Sequence, residues 1–290
     1  MNNFQNFFME TKTLIDNKLQ EYLANDESLL KGLLDSINYS LFSGGKRIRP
    51  LFCFMVGELF NVQKENLISL ACALEMIHTS SLIMDDLPHM DDAKLRRGKP
   101  ANHLIYGQDI AALASIGLLT RAYEIVLDDP LLPDDKKAGV VSKLVNTVGV
   151  NGMVGGQFVD LTCSDESIDS HTLDFIHIHK TASLFVAAGT TSAIIGNATE
   201  KQINSLEIYA SNVGFAFQIL DDLLDSDGKV EEAQKTLRSD KGNYISVYGI
   251  EKSKQLIQEH TNKGIEAIKV FNDKNEKLLL LSQILLNRNS

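Results

Sequence analysis

Apolar positions recur along this chain at helical spacing, and no stretch sustains the apolar–polar alternation of a half-buried strand. Residues 4–23 are amphipathic and predict a first helix; 29–42 predict a second, stopped by Ser43-Gly44-Gly45. Pro50 stands where a first helical turn tolerates it, and 51–60 is apolar nearly all round, the mark of a buried central helix. Residues 65–84, rich in Ala and Leu, predict another helix that carries Glu75, His78, Ser80 and Ser81, with Pro88 breaking the run. Further helices are predicted over 110–127, closed by Asp128-Asp129-Pro130, and over 134–150, 173–196 and 201–224. Gly152-Met153-Val154-Gly155-Gly156-Gln157 lets helices approach closely. Residues 226–243 are polar and predict a loop, after which 251–269 and 274–286 read as amphipathic helices. With no low-complexity linker, the expectation is an all-α protein forming one domain over residues 1–290.

With 44% hydrophobic residues in 290, the chain can bury a large core. A net charge of −10 argues against nucleic acid as a partner, since that binding rests on basic neutralisation of phosphates. Cys53, Cys72 and Cys163 follow no metal-ligand spacing and are expected to be thiols in a reducing cytosol. The N-terminus shows no basic region followed by an apolar core, and no charge-free apolar run reaches membrane-span length, 181–196 coming nearest. A soluble cytoplasmic protein without an integral membrane segment is expected.

The chemistry concentrates in two acidic stretches. Asp85-Asp86-Leu87-Pro88-His89-Met90-Asp91-Asp92 closes an apolar run and opens onto Arg96-Arg97-Gly98-Lys99-Pro100. Four aspartates so close repel one another and need cations, water or raised pKa values. Carboxylates suit Mg²⁺, which is held by one or two of them together with phosphate oxygens and water. An isolated Asp-Asp pair is most often a solvated surface, but here there is a second copy, Asp221-Asp222-Leu223-Leu224-Asp225, again after an apolar segment. Gln218, Asp221 and Asp225 share one helical face. The first motif lacks the glycine and glutamate of an EF-hand loop, and Gly44-Gly45-Lys46-Arg47 lacks the Ser or Thr of a P-loop.

Gly44-Gly45-Lys46-Arg47-Ile48-Arg49-Pro50, Glu75-Met76-Ile77-His78-Thr79, the first aspartate motif with its arginines, Gly155-Gly156-Gln157 to Asp160, Lys180-Thr181, and Phe217-Gln218-Ile219-Leu220 leading into the second motif stand in this order. In that order the chain resembles the trans-isoprenyl diphosphate synthases, most closely the bacterial farnesyl and geranylgeranyl diphosphate synthases, from about residue 28 onward. The resemblance implies the isoprenoid-synthase helical bundle around a central cavity, a homodimer, and condensation of an allylic diphosphate with isopentenyl diphosphate.

By the same resemblance, Asp85, Asp86, Asp91 or Asp92, Asp221, Asp222 and Asp225 would grip a diphosphate through about three Mg²⁺ ions. Arg96, Lys180, Lys235 and Lys241 would take further charge from this leaving group, so that an allylic cation can form. Lys46, Arg49, His78 and Arg97 would bind isopentenyl diphosphate; His78, seven residues before Asp85, lies on the same helical face. Thr181, Gln218 and the Lys180 carbonyl would face the cation, and released diphosphate would take the proton.

The sequence departs from the family at three places. Ala93-Lys94 replaces further aspartates, Ser115-Ile116 replaces a Gly-Asp pair and is expected to remove a buried carboxylate, and Lys241-Gly242-Asn243-Tyr244-Ile245 follows a shortened loop. Product length in this family depends on side chains shortly before the first aspartates. Ser80, followed by Ser81, stands where bacterial farnesyl synthases usually carry an aromatic residue, so a growing tail would reach toward Ile77, Met76 and Ala73. The Leu87-Pro88 spacing, by contrast, occurs in enzymes of short products. The expectation is a C20 product or a C15/C20 mixture from dimethylallyl, geranyl and farnesyl diphosphate. A non-catalytic regulatory subunit would have lost an aspartate motif, and a terpene cyclase of this fold would not need the isopentenyl site.

Overall fold

The structure, a computed structural model, describes residues 2–24, 27–163, 169–226 and 244–287. The described residues divide into two compact units, one within Met1–Leu51 and Ile68–Leu131, the other within Phe52–Leu67, Leu132–Val230 and Lys241–Ser290. Helices dominate both, as the apolar spacing predicts.

The first unit contains α1 (Asn2–Tyr22), α2 (Lys31–Leu41), the first turn of α3 (Ile48–Leu59), α4 (Ile68–Asp85), α5 (Asn102–Tyr106) and α6 (Gln108–Leu127). Helix α4 is its centre. It packs along α6 and also touches α1 and α2, and Leu70, Ala71, Cys72, Ala73, Leu74 and Met76 have no exposed surface. Each of its large apolar side chains contributes roughly 1.5–3 kcal/mol by leaving water. Two helical segments, Lys64–Asp85 and Gln108–Leu127, are long and apolar enough to cross a membrane by length and composition, but neither is charge-free: Glu75 stands within the first, and Asp109, Arg121 and Glu124 within the second. The first is mostly buried within the protein, as a core helix is. Helix α4 ends at Asp85 three residues before Pro88, whose missing N–H cannot continue the ladder. A two-residue hairpin, β1 (Leu95–Arg96) with β2 (Lys99–Pro100), pairs Arg96 with Lys99. Strands this short leave no alternation to read.

The second unit holds the rest of α3 with α7 (Asp134–Val148), α8 (Met153–Thr162), α9 (Ser170–His177), α10 (Ser183–Ile195), α11 (Glu200–Ser226), α12 (Tyr244–Ala267) and α13 (Glu276–Asn287). Phe52 packs against Phe185 and stacks on Tyr209, with ring centroids 6.1 and 5.8 Å away. Tyr209 is fully buried, and its hydroxyl donates to the Leu278 carbonyl at 2.7 Å. The single helix predicted over 173–196 is divided by a π-helical turn, Ile178–Ala182. Helix α12 starts at Tyr244, earlier than predicted, and kinks at Gly249, whose φ of 74° a side chain would resist. The loop predicted for 226–243 lies outside the described residues apart from Ser226, which ends α11.

Candidate active site

In the first unit, α4 delivers the acidic stretch. Beyond the helix the backbone folds back on itself, with Asp91 N–H donating to Asp85 O at 2.8 Å and Asp92 N–H to Leu87 O at 3.0 Å. Leu87 and Ala93 are buried and anchor this loop, while Asp85, Asp91 and Asp92 keep partial exposure. Asp92 takes a left-handed φ of 46° and pairs with Lys94 at 2.8 Å. Asp86 is 3% exposed and is gripped by Arg96, whose Nε donates to Oδ1 and Oδ2 at 3.0 and 3.2 Å and whose Nη2 donates to Oδ1. Burial pushes the Asp86 carboxyl up, with Arg96 pulling the other way.

A basic cluster belongs to the same unit. His78 lies among Arg49, Arg97, Arg96 and Arg47; burial and then these four charges push its imidazole well below its ordinary range, so it is neutral at pH 7. Arg97 takes a φ of 53° and donates from Nη1 to Gly44 O at 2.5 Å. Gly45 explains the double glycine: its φ is 118°, and a Cβ there would meet the Arg97 guanidinium at 2.9 Å. Burial lowers the Arg97 pKa, with Arg47 and Arg96 adding repulsion. A bound anion would relieve that crowding. Lys46 is exposed and Arg49 half-buried.

Arg47 has a different job, which its place in a basic run conceals. It is 3% exposed, donates to Glu75 at 2.6 Å and Asp16 at 2.8 Å, and also donates to the Leu41 carbonyl. This ties α1, α2 and α4 together. Ser80 and Ser115 are both buried and joined at 2.9 Å, with Ser115 Oγ also donating to the Ser80 carbonyl. Since a hydroxyl has one proton, Ser80 must be the donor between the two oxygens. Ile116 is 56% exposed in the single chain. Ser81 bonds back to the His78 carbonyl, and Ile77 and Met76 are fully packed.

In the second unit the π-helical turn presents Lys180 and Thr181. Such turns insert a residue into a helix and recur at functional sites. Lys180 Nζ lies 2.9 Å from Asp160 Oδ2 on α8. Gly156 lets α8 lie close against the π-helical turn, because a Cβ there would stand 2.7 Å from the Lys180 backbone nitrogen. Thr181 Oγ1 donates to Gln218 Oε1 at 3.2 Å, Gln218 Nε2 donates to Asp222 Oδ1 at 2.9 Å, and Tyr244 N–H donates to Asp222 Oδ2 at 3.1 Å. Tyr244 OH reaches Asp174 at 3.0 Å, and its ring lies 4.9 Å from that of His177. Burial pushes the His177 imidazole down to about 4. Asp221 is half-buried on α11; the side chain of Asp225, and all of Lys235 and Lys241, lie outside the described residues.

Asp174 and His177 gave no signal in the sequence, and Tyr244 stood there only as part of the late-loop pattern, with no role assigned to it. Among the described residues no three His, Cys, Asp or Glu side chains converge on a common metal position. The donor set still fits Mg²⁺, because every candidate is a carboxylate and the ion takes only one or two of these beside phosphate and water.

The sequence profile of the polyprenyl synthetase family matches residues 31–278. A geranylgeranyl diphosphate synthase of Cyanophora paradoxa is 39% identical over 99% of this chain and 97% of its own length. A chloroplastic geranylgeranyl pyrophosphate synthase of Capsicum annuum is 37% identical over 94% of this chain and 75% of its own. Among solved structures, an FPP/GFPP synthase from Zymomonas mobilis superposes with a TM-score of 0.87 at 30% identity, covering 98% of this chain and 99% of that one.

Proposed function

The chain belongs to the polyprenyl synthetase family as a short-chain prenyltransferase, and we propose that it condenses isopentenyl diphosphate with dimethylallyl, geranyl and farnesyl diphosphate to give C20, or C20 with C15. The observation that carries this is geometric: one unit holds both the first aspartate loop, with Asp86 gripped by Arg96, and the neighbouring Arg97, which closes onto the Gly44 carbonyl.

In this reading Arg49, Arg97 and Lys46 bind the isopentenyl diphosphate, with His78 donating a neutral N–H that adds no repulsion to the cluster. Asp85, Asp86, Asp91, Asp92, Asp221, Asp222 and Asp225 are the carboxylates for Mg²⁺, which when bound supplies charge stabilisation to a departing diphosphate. Asp86 works as one unit with Arg96, and Lys180, held by Asp160, adds a fixed positive charge. Lys235 and Lys241 join them by the family pattern. Thr181 and Gln218 are hydrogen-bonded to each other and, by the family pattern, are the oxygen-bearing side chains that face the allylic cation. The double bond of isopentenyl diphosphate attacks that cation, and the released diphosphate takes the proton.

The long product is supported by the small, buried Ser80 and by the name of the Cyanophora relative. A homodimer is supported by Leu104, Ile105, Leu113 and Ile116 on α5 and α6, each about half exposed. That residues 1–290 act as one domain is supported by the family profile, which runs through both units. Cys53, Cys72 and Cys163 are all free thiols, which suits a reducing compartment, and we place the protein in the cytoplasm. Asp85→Ala tests the reading: condensation falls by orders of magnitude while the helical signal persists, and near-normal turnover would contradict it.

A further inference from the structure

Asp222 of the second acidic motif is held on both of its oxygens. Gln218 Nε2 donates to Oδ1 at 2.9 Å, and the Tyr244 N–H donates to Oδ2 at 3.1 Å. Two donors on different oxygens fix the plane of a carboxylate as well as its place. Gln218 stands one turn before Asp222 on α11, so its bond is local to that helix. Tyr244 comes from another helix, and whatever fixes Tyr244 therefore decides how Asp222 is turned.

Tyr244 is the first residue of α12, and the first N–H groups of a helix have no partner within it. The kink at Gly249 interrupts α12 soon after this turn, which leaves the position of the turn to contacts from other parts of the unit. The Tyr244 side chain supplies them. It is fully buried, with its ring 4.9 Å from that of His177 and 5.2 Å from that of Phe215. Its hydroxyl donates to Asp174 Oδ1 on α9 at 3.0 Å, and Ser253 Oγ, beyond the kink, donates to its carbonyl at 3.2 Å. A hydroxyl donating to an ionised carboxylate makes a charge-assisted bond, stronger than one between neutral groups, so Asp174 is the chief polar anchor.

We propose that the bond from Tyr244 to Asp174 holds the Tyr244 N–H against Asp222, which makes Tyr244 and Asp174 positioning residues for the second aspartate motif. Their role rests on the reading of Asp222 as a carboxylate for Mg²⁺. Groups that orient a metal-binding carboxylate typically alter metal affinity or activity by about 10–100-fold when replaced.

The test measures, by calorimetry on the full chain, the binding of inorganic diphosphate at a series of Mg²⁺ concentrations, for the wild type, Tyr244→Phe, Asp174→Ala, Asp174→Asn, the Tyr244→Phe/Asp174→Ala double variant and Asp222→Ala. Tyr244→Phe and Asp174→Ala are each expected to raise the Mg²⁺ concentration for half-maximal binding about tenfold, and the double variant no further than either alone, because all three remove the same bond. Asp174→Asn keeps an oxygen that accepts from the hydroxyl and is expected to stay close to the wild type. The two Asp174 variants decide the matter by themselves if Tyr244→Phe does not fold. Loss of thermal stability in Tyr244→Phe and Asp174→Ala with the wild-type Mg²⁺ dependence, while Asp222→Ala no longer binds, overturns the positioning role and leaves the metal reading standing. A double variant weakened by the product of the two single effects overturns the shared anchor. If Asp222→Ala binds diphosphate as the wild type does, the metal reading of Asp222 falls and takes the positioning role with it.

Discussion

Arg47 and Glu75 form an ion pair inside the protein, Nη1 to Oε1 at 2.6 Å, with each side chain 2% exposed. Breaking such a pair from one side strands the other charge, which typically costs about 3–5 kcal/mol. Arg47→Ala, which takes the ion-pair partner from the buried Glu75 carboxylate, is therefore expected to lower unfolding stability by about that amount in a urea titration. A loss under about 1 kcal/mol would mean that Glu75 finds water or another base, as surface pairs do.

Arg49 and Arg97 both act on His78 of the same α4 but have a different expected phenotype. Arg97→Ala should raise the KM for isopentenyl diphosphate about 10–100-fold, the value of one charge-assisted hydrogen bond at about 1.5–3 kcal/mol, with the KM for the allylic partner little changed. Steady-state kinetics with each substrate varied in turn checks this. Equal weakening of both substrates would remove Arg97 from a dedicated isopentenyl site.

The helices were legible because their apolar stripes are long: α1, α6, α7 and α11 lie within two residues of the predicted bounds at every end. The hairpin at Leu95–Pro100 was not, since two-residue strands carry no period. The π-helical turn was hidden for the opposite reason, as apolar residues continue through 173–196 and one inserted residue barely shifts their phase. At the site, the order of charged motifs picked out the residues, but not the separate roles of neighbours. Arg47 and Arg49 look alike in sequence; the structure separates them, Arg47 having a left-handed φ of 50° and bonds to Asp16 and Glu75. The Ser115-Ile116 departure says nothing in sequence of what Ser115 does; in the structure it is a hydrogen-bond partner of Ser80.

Ser80→Tyr is expected to shorten the product by one isoprene unit. The ring would displace the Ser80–Ser115 contact and occupy the space beside α4. Chain-length analysis of the extracted alcohols reads the outcome. An unchanged spectrum would put the floor of the tail pocket elsewhere.

His177 gives the protein an acid-sensitive element. Its imidazole is held down at about 4 by burial, whereas in the unfolded chain it titrates near about 6.5. Between those values the unfolded state binds more protons, so stability present above about pH 6.5 is lost as pH falls toward 4. Thermal melts across that window should show a steeper decline for the wild type than for His177→Phe, which keeps a ring against Tyr244. Parallel profiles would mean that His177 protonates equally well in both states.

The most direct measurement incubates the purified full chain with Mg²⁺, labelled isopentenyl diphosphate and, separately, dimethylallyl, geranyl and farnesyl diphosphate. Products are resolved by chain length after phosphatase treatment. A labelled C20 alcohol, alone or with C15, is expected in the presence of Mg²⁺ and is lost when the metal is chelated. No labelled product from any of the three partners would contradict the assignment of a prenyltransferase site to these residues.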